Sequence, residues 1–162
     1  MAIKKMVVNN LFGMTGKSVL ITGASQGLGL DIARDLSREG MQVVIADIQK
    51  EKGEKAVGEI RKSGGQAEFF YVDLSSPESV AAMIDKVEKK YPKLDLLINN
   101  ARSKPSSSPE EMSLKDWDLS MKVTLSGTFY CSRKVIPIMA KEGKGCIINI
   151  SSVSAIRIGA MS

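Results

Sequence analysis

The fold is indicated by one stretch of the chain, SVLITGASQGLG at residues 18–29. Its first four residues show no polar alternation, which is typical of a strand buried on both faces of a parallel sheet. Three glycines follow this run. Apolar residues then recur at helical spacing, at Leu28, Ile32, Ala33 and Leu36. The stretch therefore predicts a strand, a tight glycine turn and an amphipathic helix, in that order.

The glycine turn indicates a phosphate-binding site. Gly23, Gly27 and Gly29 let the backbone turn tightly and approach a phosphate without a Cβ in the way. The helix that follows points its unpaired N–H groups and its positive dipole end at the same place. These features predict that the turn holds the pyrophosphate of a dinucleotide. The alternative is that the glycines serve only the conformation of the turn.

An acidic residue at the end of the next buried run indicates which dinucleotide. Asp47 follows Gly29 at close to the roughly 20-residue offset at which a carboxylate accepts hydrogen bonds from the adenosine ribose. A carboxylate would repel a 2′-phosphate, and neither Gln26 nor Ile48 supplies a cation, so NAD is expected over NADP. The alternative is that Asp47 only caps the following helix.

Strand and helix patterns alternate along the rest of the chain. Further strands are predicted at 41–46, 66–72, 94–98 and 146–150, and further helices at 50–61, 76–91 and 114–140. This alternation predicts an α/β fold, a doubly wound parallel sheet of the Rossmann type with right-handed crossovers. The length favours one domain over residues 1–162.

Composition excludes several other kinds of site. The chain has no histidine, which removes Ser–His and Cys–His nucleophiles and argues against zinc, so no metal is expected. The net charge of +5 is spread over helices with interleaved glutamates, so nucleic acid is not expected as a partner. The spacing of Cys131 and Cys146 suggests free thiols. No apolar run is long enough for a membrane span, and no signal-peptide core is present, so we expect a cytoplasmic location.

These motifs together resemble the short-chain dehydrogenase/reductase family. The family's Thr-Gly-x3-Gly-x-Gly turn matches residues 22–29, and its Asn-Asn-Ala-Gly motif matches Asn99 to Ala101 but finds Arg102 where glycine is usual. The resemblance implies a small carbonyl or alcohol substrate and a homo-oligomer, a dimer or tetramer, paired through the helix at 114–140. It implies cofactor-binding residues at Gly23, Ser25, Gln26, Gly27, Leu28, Gly29, Asp47, Asp73, Leu74, Asn100 and Ala101.

The resemblance also implies roles in catalysis. Ser152 would hydrogen-bond and polarise the substrate oxygen, and Thr124 stands where the family usually has an asparagine that supports a proton relay. The family's Tyr-x3-Lys motif, its acid/base pair, would fall past Ser162. We therefore expect an amino-terminal portion of such a dehydrogenase, without the last strands and helices of the family's fold, that binds cofactor without turnover.

Two other interpretations are open at this point. Thr124, Arg102 and the missing acid/base pair are compatible with a non-catalytic dinucleotide-binding or scaffold subunit. A methyltransferase with a similar first turn is disfavoured, because Asp73 and the Asn99 to Ala101 motif would then be coincidences.

Overall fold

The computed structural model describes residues 12–103, 108 and 110–152, so both ends of the predicted domain over 1–162 lie outside the described residues. Five strands form one sheet. They are β1 (Ser18–Thr22), β2 (Gln42–Asp47), β3 (Gln66–Tyr71), β4 (Leu96–Asn99) and β5 (Cys146–Asn149). All pairings are parallel, and the order across the sheet is β3-β2-β1-β4-β5. The predicted doubly wound parallel sheet is confirmed.

Helices connect the strands. They are α1 (Gly27–Arg38), α2 (Lys50–Lys62), α3 (Pro77–Lys90), α4 (Leu114–Met121), a π-helical segment (Lys122–Ser126) and α5 (Gly127–Lys141). Two of these helices, α3 and α4, are preceded by a serine that caps them: the side chains of Ser76 and Ser113 accept hydrogen bonds from the N–H groups of Ser79 and Asp116.

The strand order places a crevice beside β1. The chain runs outward from β1 to β2 and β3, and then returns to the other side of β1 to form β4 and β5. At this switch the connections leave in opposite directions, and the carboxyl ends of β1 and β4 border an open cleft. All five residues of β1 are buried, as the unbroken apolar run predicts.

Two apolar clusters hold the helices on opposite faces of the sheet. On one face, Val19 and Ile21 of β1 share a cluster with residues of α1 and α2. On the other face, Leu20 shares a cluster with residues of α3 and α5, among them Ile84 and Val135. Because β1 contributes to both clusters, its alternate side chains are fixed from both sides and its end is held rigidly beside the cleft.

The predicted apolar stripe of α1 is wrong at Leu28. This side chain is 58% exposed, whereas Ala33 of the same stripe is fully buried. The core side of the first turn is occupied by Gly29, where an added Cβ would lie 2.5 Å from Nδ2 of Asn100. Leu28 is therefore turned outward, and it lines the cleft.

The predicted helix at 114–140 is not uniform. It includes the π-helical segment, and the hydroxyl of Thr128 donates to the carbonyl of Thr124 at 2.8 Å. The hydroxyl of Ser132 donates in the same way to the carbonyl of Thr128, also at 2.8 Å. Such side-chain bonds to the preceding turn bend helices, and single π-turns occur often at functional sites.

Candidate functional site

A cleft of about 1180 Å³ opens at the carboxyl ends of the strands. Of the residues implied by the sequence, the structure brings all except Ser25 into its lining: Gly23, Gln26, Gly27, Leu28, Gly29, Asp47, Asp73, Leu74, Asn100, Ala101, Thr124 and Ser152. These residues come from every strand end, from the start of α1 and from the π-helical segment. The cleft is therefore built by the whole sheet edge rather than by one motif.

The glycine turn has room for a group that lies close to its backbone. Gly23 and Gly27 have φ of +65° and +57°, a conformation that favours glycine. A Cβ at Gly23 would lie 2.7 Å from Cα of Ala101, so the loop after β4 packs directly on the turn. A Cβ at Gly27 would meet no atom within 4 Å. Gly27 thus faces open space in the cleft and leaves its backbone accessible.

The N-terminus of α1 is available to a ligand. Gln26 precedes this twelve-residue helix with no side-chain cap, and no acidic residue lies in the first turn. The first N–H groups of the helix and its positive dipole end are directed at the cleft without a competing carboxylate from the helix itself. Together with the space at Gly27, this environment fits a diphosphate.

Asn100 fastens the loop after β4 to the glycine turn. Its amide Nδ2 donates to the carbonyls of Thr22 and Gly23, at 3.1 Å and 3.0 Å. In return, Oγ1 of Thr22 accepts from the N–H groups of Asn100 and Ala101, at 3.1 Å and 3.2 Å. These four hydrogen bonds fix the two loops against each other across the switch point of the sheet.

Asp47 is buried and held by three donors. Its Oδ2 accepts from the N–H and the hydroxyl of Ser25, at 3.1 Å and 2.6 Å, and its Oδ1 accepts from the N–H of Gln49 at 3.0 Å. The N-cap of α2 is Gln49, so the interpretation of Asp47 as that cap is wrong. Because each carboxylate oxygen has about two lone pairs, Oδ1 retains one for a further donor.

A lysine that the sequence analysis missed lies at the same end of the cleft. Nζ of Lys52, in the first turn of α2, donates to Oε1 of Gln26 at 2.8 Å. Gln26 and Asp47 both line the cleft, so the ammonium of Lys52 lies next to the cleft lining. The sequence offers little signal for this contact, because Lys52 is one of several exposed lysines on α2.

The end of β3 supplies two more lining residues. Oδ1 of Asp73 accepts from the N–H and hydroxyl of Ser75, at 2.8 Å and 2.7 Å, while the N–H of Asp73 donates to Oγ of Ser79 at 3.0 Å. Leu74 is buried, and a Cβ at Gly127 would lie 2.8 Å from its Cβ. Leu74 thereby positions the start of α5 against the cleft.

Thr124 and Ser152 lie toward the β4–β5 side of the cleft. Oγ1 of Thr124 accepts from the N–H of Ser103 at 3.3 Å, which ties the loop after β4 to the π-helical segment. Ser152 is exposed and follows β5 by three positions. Within the described part of the chain, no tyrosine or lysine lines the cleft.

Asn99 belongs to the motif at 99–101, but no role in the site was predicted for it from the sequence. Its Nδ2 donates to Oδ1 of Asn149 at 2.9 Å and to Oγ of Ser132 at 3.2 Å. This buried amide joins the ends of β4 and β5 to α5, and it thus holds the strand that leads to Ser152.

The comparisons with known proteins agree with this architecture. A family model described as short chain dehydrogenase matches residues 17–161. The chain belongs to the short-chain dehydrogenase family. A cyclopentanol dehydrogenase of Comamonas testosteroni is 36% identical over 137 residues, which are 85% of this chain and 55% of that protein. The chain spans about half the length of the curated relatives it matches.

Solved structures of the family share the fold. An NAD+-bound xylitol dehydrogenase superimposes with a TM-score of 0.85 at 28% identity, over 90% of this chain and 56% of that one. A metagenomic short-chain oxidoreductase in complex with NADP gives 0.84 at 33% identity, over 91% of this chain and 67% of that one. Structural neighbours of this short-chain dehydrogenase therefore include both an NAD+ complex and an NADP complex.

Two kinds of feature are absent from the described residues. No group of three or more potential metal-ligating side chains occurs among them. No helix in this part of the chain combines the length and apolar character of a membrane span.

Proposed function

We propose that the cleft binds NAD(H) as the cofactor site of an oxidoreductase that moves a hydride between the nicotinamide and a carbonyl or secondary alcohol. The observation that carries this proposal is the joining of Asp47 to the glycine turn through Ser25. It places a fixed carboxylate next to a fixed, open turn at the N-terminus of α1. A ribose diphosphate needs both at this spacing.

Each part of the cofactor has residues that fit it. The diphosphate would lie at Gly27 and the first N–H groups of α1, and the adenosine ribose would donate to the free lone pair of Asp47. The adenine would lie beside Asp73 and Leu74, which line the cleft after β3. The nicotinamide would then extend over Ala101 toward the β4–β5 side.

The carboxylate of Asp47 favours NAD(H) over NADP(H). It is 7% exposed and has three donors, so it cannot turn away from a 2′-phosphate placed against it. The repulsion between two anions would disfavour the phosphorylated cofactor. Lys52, which contacts Gln26, would attract the 2′-phosphate, and this attraction reduces the preference for NAD(H) without removing it.

Ser152 is proposed to orient the substrate. Ser152 lines the cleft, and its hydroxyl would donate to the substrate oxygen, while Thr124 holds the loop after β4 through its side chain. When bound, the nicotinamide supplies or accepts the hydride. Since no tyrosine or lysine of the described residues lines the cleft, we propose that this chain alone binds cofactor without turnover; acid/base help contributes about 10²- to 10⁴-fold.

The test of cofactor binding is a calorimetric titration of NADH into the chain, with two matched variants. Gly27→Ala and Gly64→Ala each place a side chain at positive φ, +57° and +85°, where an added Cβ would meet no atom within 4 Å, so both variants strain the backbone without a steric clash. Of these two glycines, Gly27 lines the cleft and Gly64 does not. We expect Gly27→Ala to weaken NADH binding and Gly64→Ala to leave it unchanged. Equal affinities in the two variants, or no binding by the unmodified chain, would overturn the proposal.

We also propose that the chain forms homo-oligomers through the helical stretch from α4 to α5. Its exposed apolar side chains include Leu114, Trp117, Leu125, Phe129 and Ile136. Exposed apolar patches of this kind favour association. Sedimentation of the chain and of Phe129→Ser would test this proposal, because the variant should shift toward the monomer. The cytoplasmic location stays a prediction of the sequence.

A non-catalytic dinucleotide-binding or scaffold subunit is the second candidate. It is favoured by Thr124 and Arg102, which replace the family's usual asparagine and glycine in the cleft. Two measurements on the same full-length protein separate the two candidates. One assays NADH oxidation with a panel of ketones and sugars, and the other measures NADH binding by calorimetry. Binding without turnover would favour the scaffold.

A further inference from the structure

Arg102 occupies a backbone position that is fixed on both sides. The N–H of the preceding Ala101 donates to Oγ1 of Thr22 at 3.2 Å, and the N–H of the following Ser103 donates to Oγ1 of Thr124 at 3.3 Å. One of these contacts comes from the glycine-turn strand and the other from the π-helical segment. The base of the Arg102 side chain is therefore held between the two elements that border the cleft.

The charged residues that line the cleft are separated by sign. Asp47 ends β2 and Asp73 follows β3, on one side of β1, whereas Arg102 follows β4 on the other side. Because β1 lies between β2 and β4, the strands that lead to Asp47 and Arg102 are about two strand spacings apart, roughly 10 Å. The β4 side of the cleft is thus positive and the β2 side is negative, within the described lining.

The guanidinium of Arg102 is available to a ligand. The side chain is exposed, and no carboxylate of the described residues forms an ion pair with it. By contrast, Arg34 pairs with Asp31 and Glu59, and Arg38 pairs with Asp35. A planar guanidinium binds a carboxylate or phosphate through two parallel hydrogen bonds.

We propose that Arg102 binds an oxyanion at the β4 side of the cleft. The oxyanion is a phosphate or carboxylate group, carried either by the cofactor as its diphosphate or by an anionic substrate bound beside the nicotinamide. This inference rests on the proposed function, since it assigns the cleft to a cofactor and its substrate. It makes Arg102, where the family usually has glycine, a specificity-determining residue of this chain.

The test uses the 162-residue chain with Arg102→Gln, Arg102→Lys and a control, Arg133→Gln. Arg133 is exposed on α5, does not line the cleft, and loses the same charge in its variant. NADH is titrated into each protein in phosphate-free buffer, and inorganic phosphate is titrated into each protein saturated with NADH.

Two results support the proposal and identify the source of the oxyanion. If the cofactor supplies it, Arg102→Gln weakens NADH binding roughly tenfold to hundredfold, Arg102→Lys weakens it less, and phosphate does not bind the NADH-saturated chain. If a substrate supplies it, NADH affinity is unchanged, and phosphate binds the NADH-saturated chain but not its Arg102→Gln variant. Identical behaviour of Arg102→Gln and Arg133→Gln in both titrations overturns the proposal.

Failure of the proposed function would be recognised separately. If the unmodified chain does not bind NADH, inorganic phosphate is titrated into the free chain instead. Loss of phosphate binding in Arg102→Gln alone then still supports an oxyanion site at this residue. Phosphate binding that is absent from the unmodified chain, or equal in Arg102→Gln and Arg133→Gln, overturns it.

Discussion

Ser25 and Asp47 are joined by two hydrogen bonds that end on the same carboxylate oxygen. The N–H of Ser25 donates to Oδ2 of Asp47 at 3.1 Å, and its hydroxyl donates to the same atom at 2.6 Å. Both residues are buried, at 4% and 7% exposure. The glycine turn is therefore attached to the end of β2 independently of any ligand.

Removal of the hydroxyl should cost stability. In Ser25→Ala, one charge-assisted hydrogen bond to a buried carboxylate is lost, so we expect the free energy of unfolding to fall by about 1.5–3 kcal/mol. Urea denaturation followed by circular dichroism measures this change. The control is Ser63→Ala, which removes an exposed hydroxyl that donates to the carbonyl of Glu59 at 3.1 Å. A loss no larger than that of the control would show that the bond to Asp47 contributes no more than an exposed hydrogen bond.

Lys52 should affect the two cofactors differently. Its ammonium lies 2.8 Å from Oε1 of Gln26, beside the proposed ribose site, and would attract a 2′-phosphate but not a 2′-hydroxyl. We expect Lys52→Ala to weaken NADPH binding by about threefold to fivefold, the size of one exposed charge pair, and to leave NADH binding unchanged. Lys55→Ala, at an exposed lysine of the same helix, is the control. Parallel calorimetric titrations would contradict this expectation if both cofactors lost affinity equally.

Local patterns in the sequence were sufficient to predict the strands and most of the helices. The run at 19–21 has no polar residue on either face because β1 is covered on both faces, and this property is visible in the sequence itself. The glycine turn was likewise predicted from a short stretch of sequence, residues 22–29. The alternation of strands and helices then limits the topology to a parallel sheet with helices on its two faces.

The remaining features depend on contacts between distant parts of the chain. Lys52 contacts Gln26 because the sheet places the ends of β1 and β2 side by side. Asn99 contacts Asn149 because the ends of β4 and β5 are neighbours in the same way. The outward position of Leu28 follows from the close packing of Gly29 on Asn100, which helical spacing cannot reveal. The π-helical segment could not be predicted either, because its residues fit the pattern of an ordinary α-helix.

Thr22 should stabilise the chain through its hydroxyl. This buried side chain accepts hydrogen bonds from the N–H groups of Asn100 and Ala101. Thr22→Val keeps the shape but leaves both donors without their acceptor, so we expect a loss of about 2 kcal/mol or more in the free energy of unfolding. Thr22→Ser keeps the hydroxyl and should recover most of that loss. Equal stability of the two variants in urea denaturation would contradict the expectation.

The two cysteines should differ in reactivity. Burial raises the pKa of the Cys131 thiol to about 12, so the reactive thiolate is scarce near neutral pH, and the side chain is inaccessible in the core. Cys146 is exposed. We expect a disulfide reagent such as DTNB to label one thiol quickly in the native chain and the second only in denaturant. Cys146→Ser should abolish the fast phase, and a fast phase that persists in that variant would contradict the assignment.

Tyr91 should make stability depend on pH in the alkaline range. Burial, followed by a 3.0 Å hydrogen bond from its hydroxyl to Glu68, raises the pKa of Tyr91 from 10.0 to about 12. The folded chain holds this proton more tightly than the unfolded chain, so the contribution is complete below about pH 10 and is lost as pH rises toward about 12. We expect the urea midpoint to fall less steeply over this range in Tyr91→Phe than in the unmodified chain. Tyr71→Phe, at an exposed tyrosine of β3, should retain the steep fall, and the same slope in both variants would exclude Tyr91 as its source.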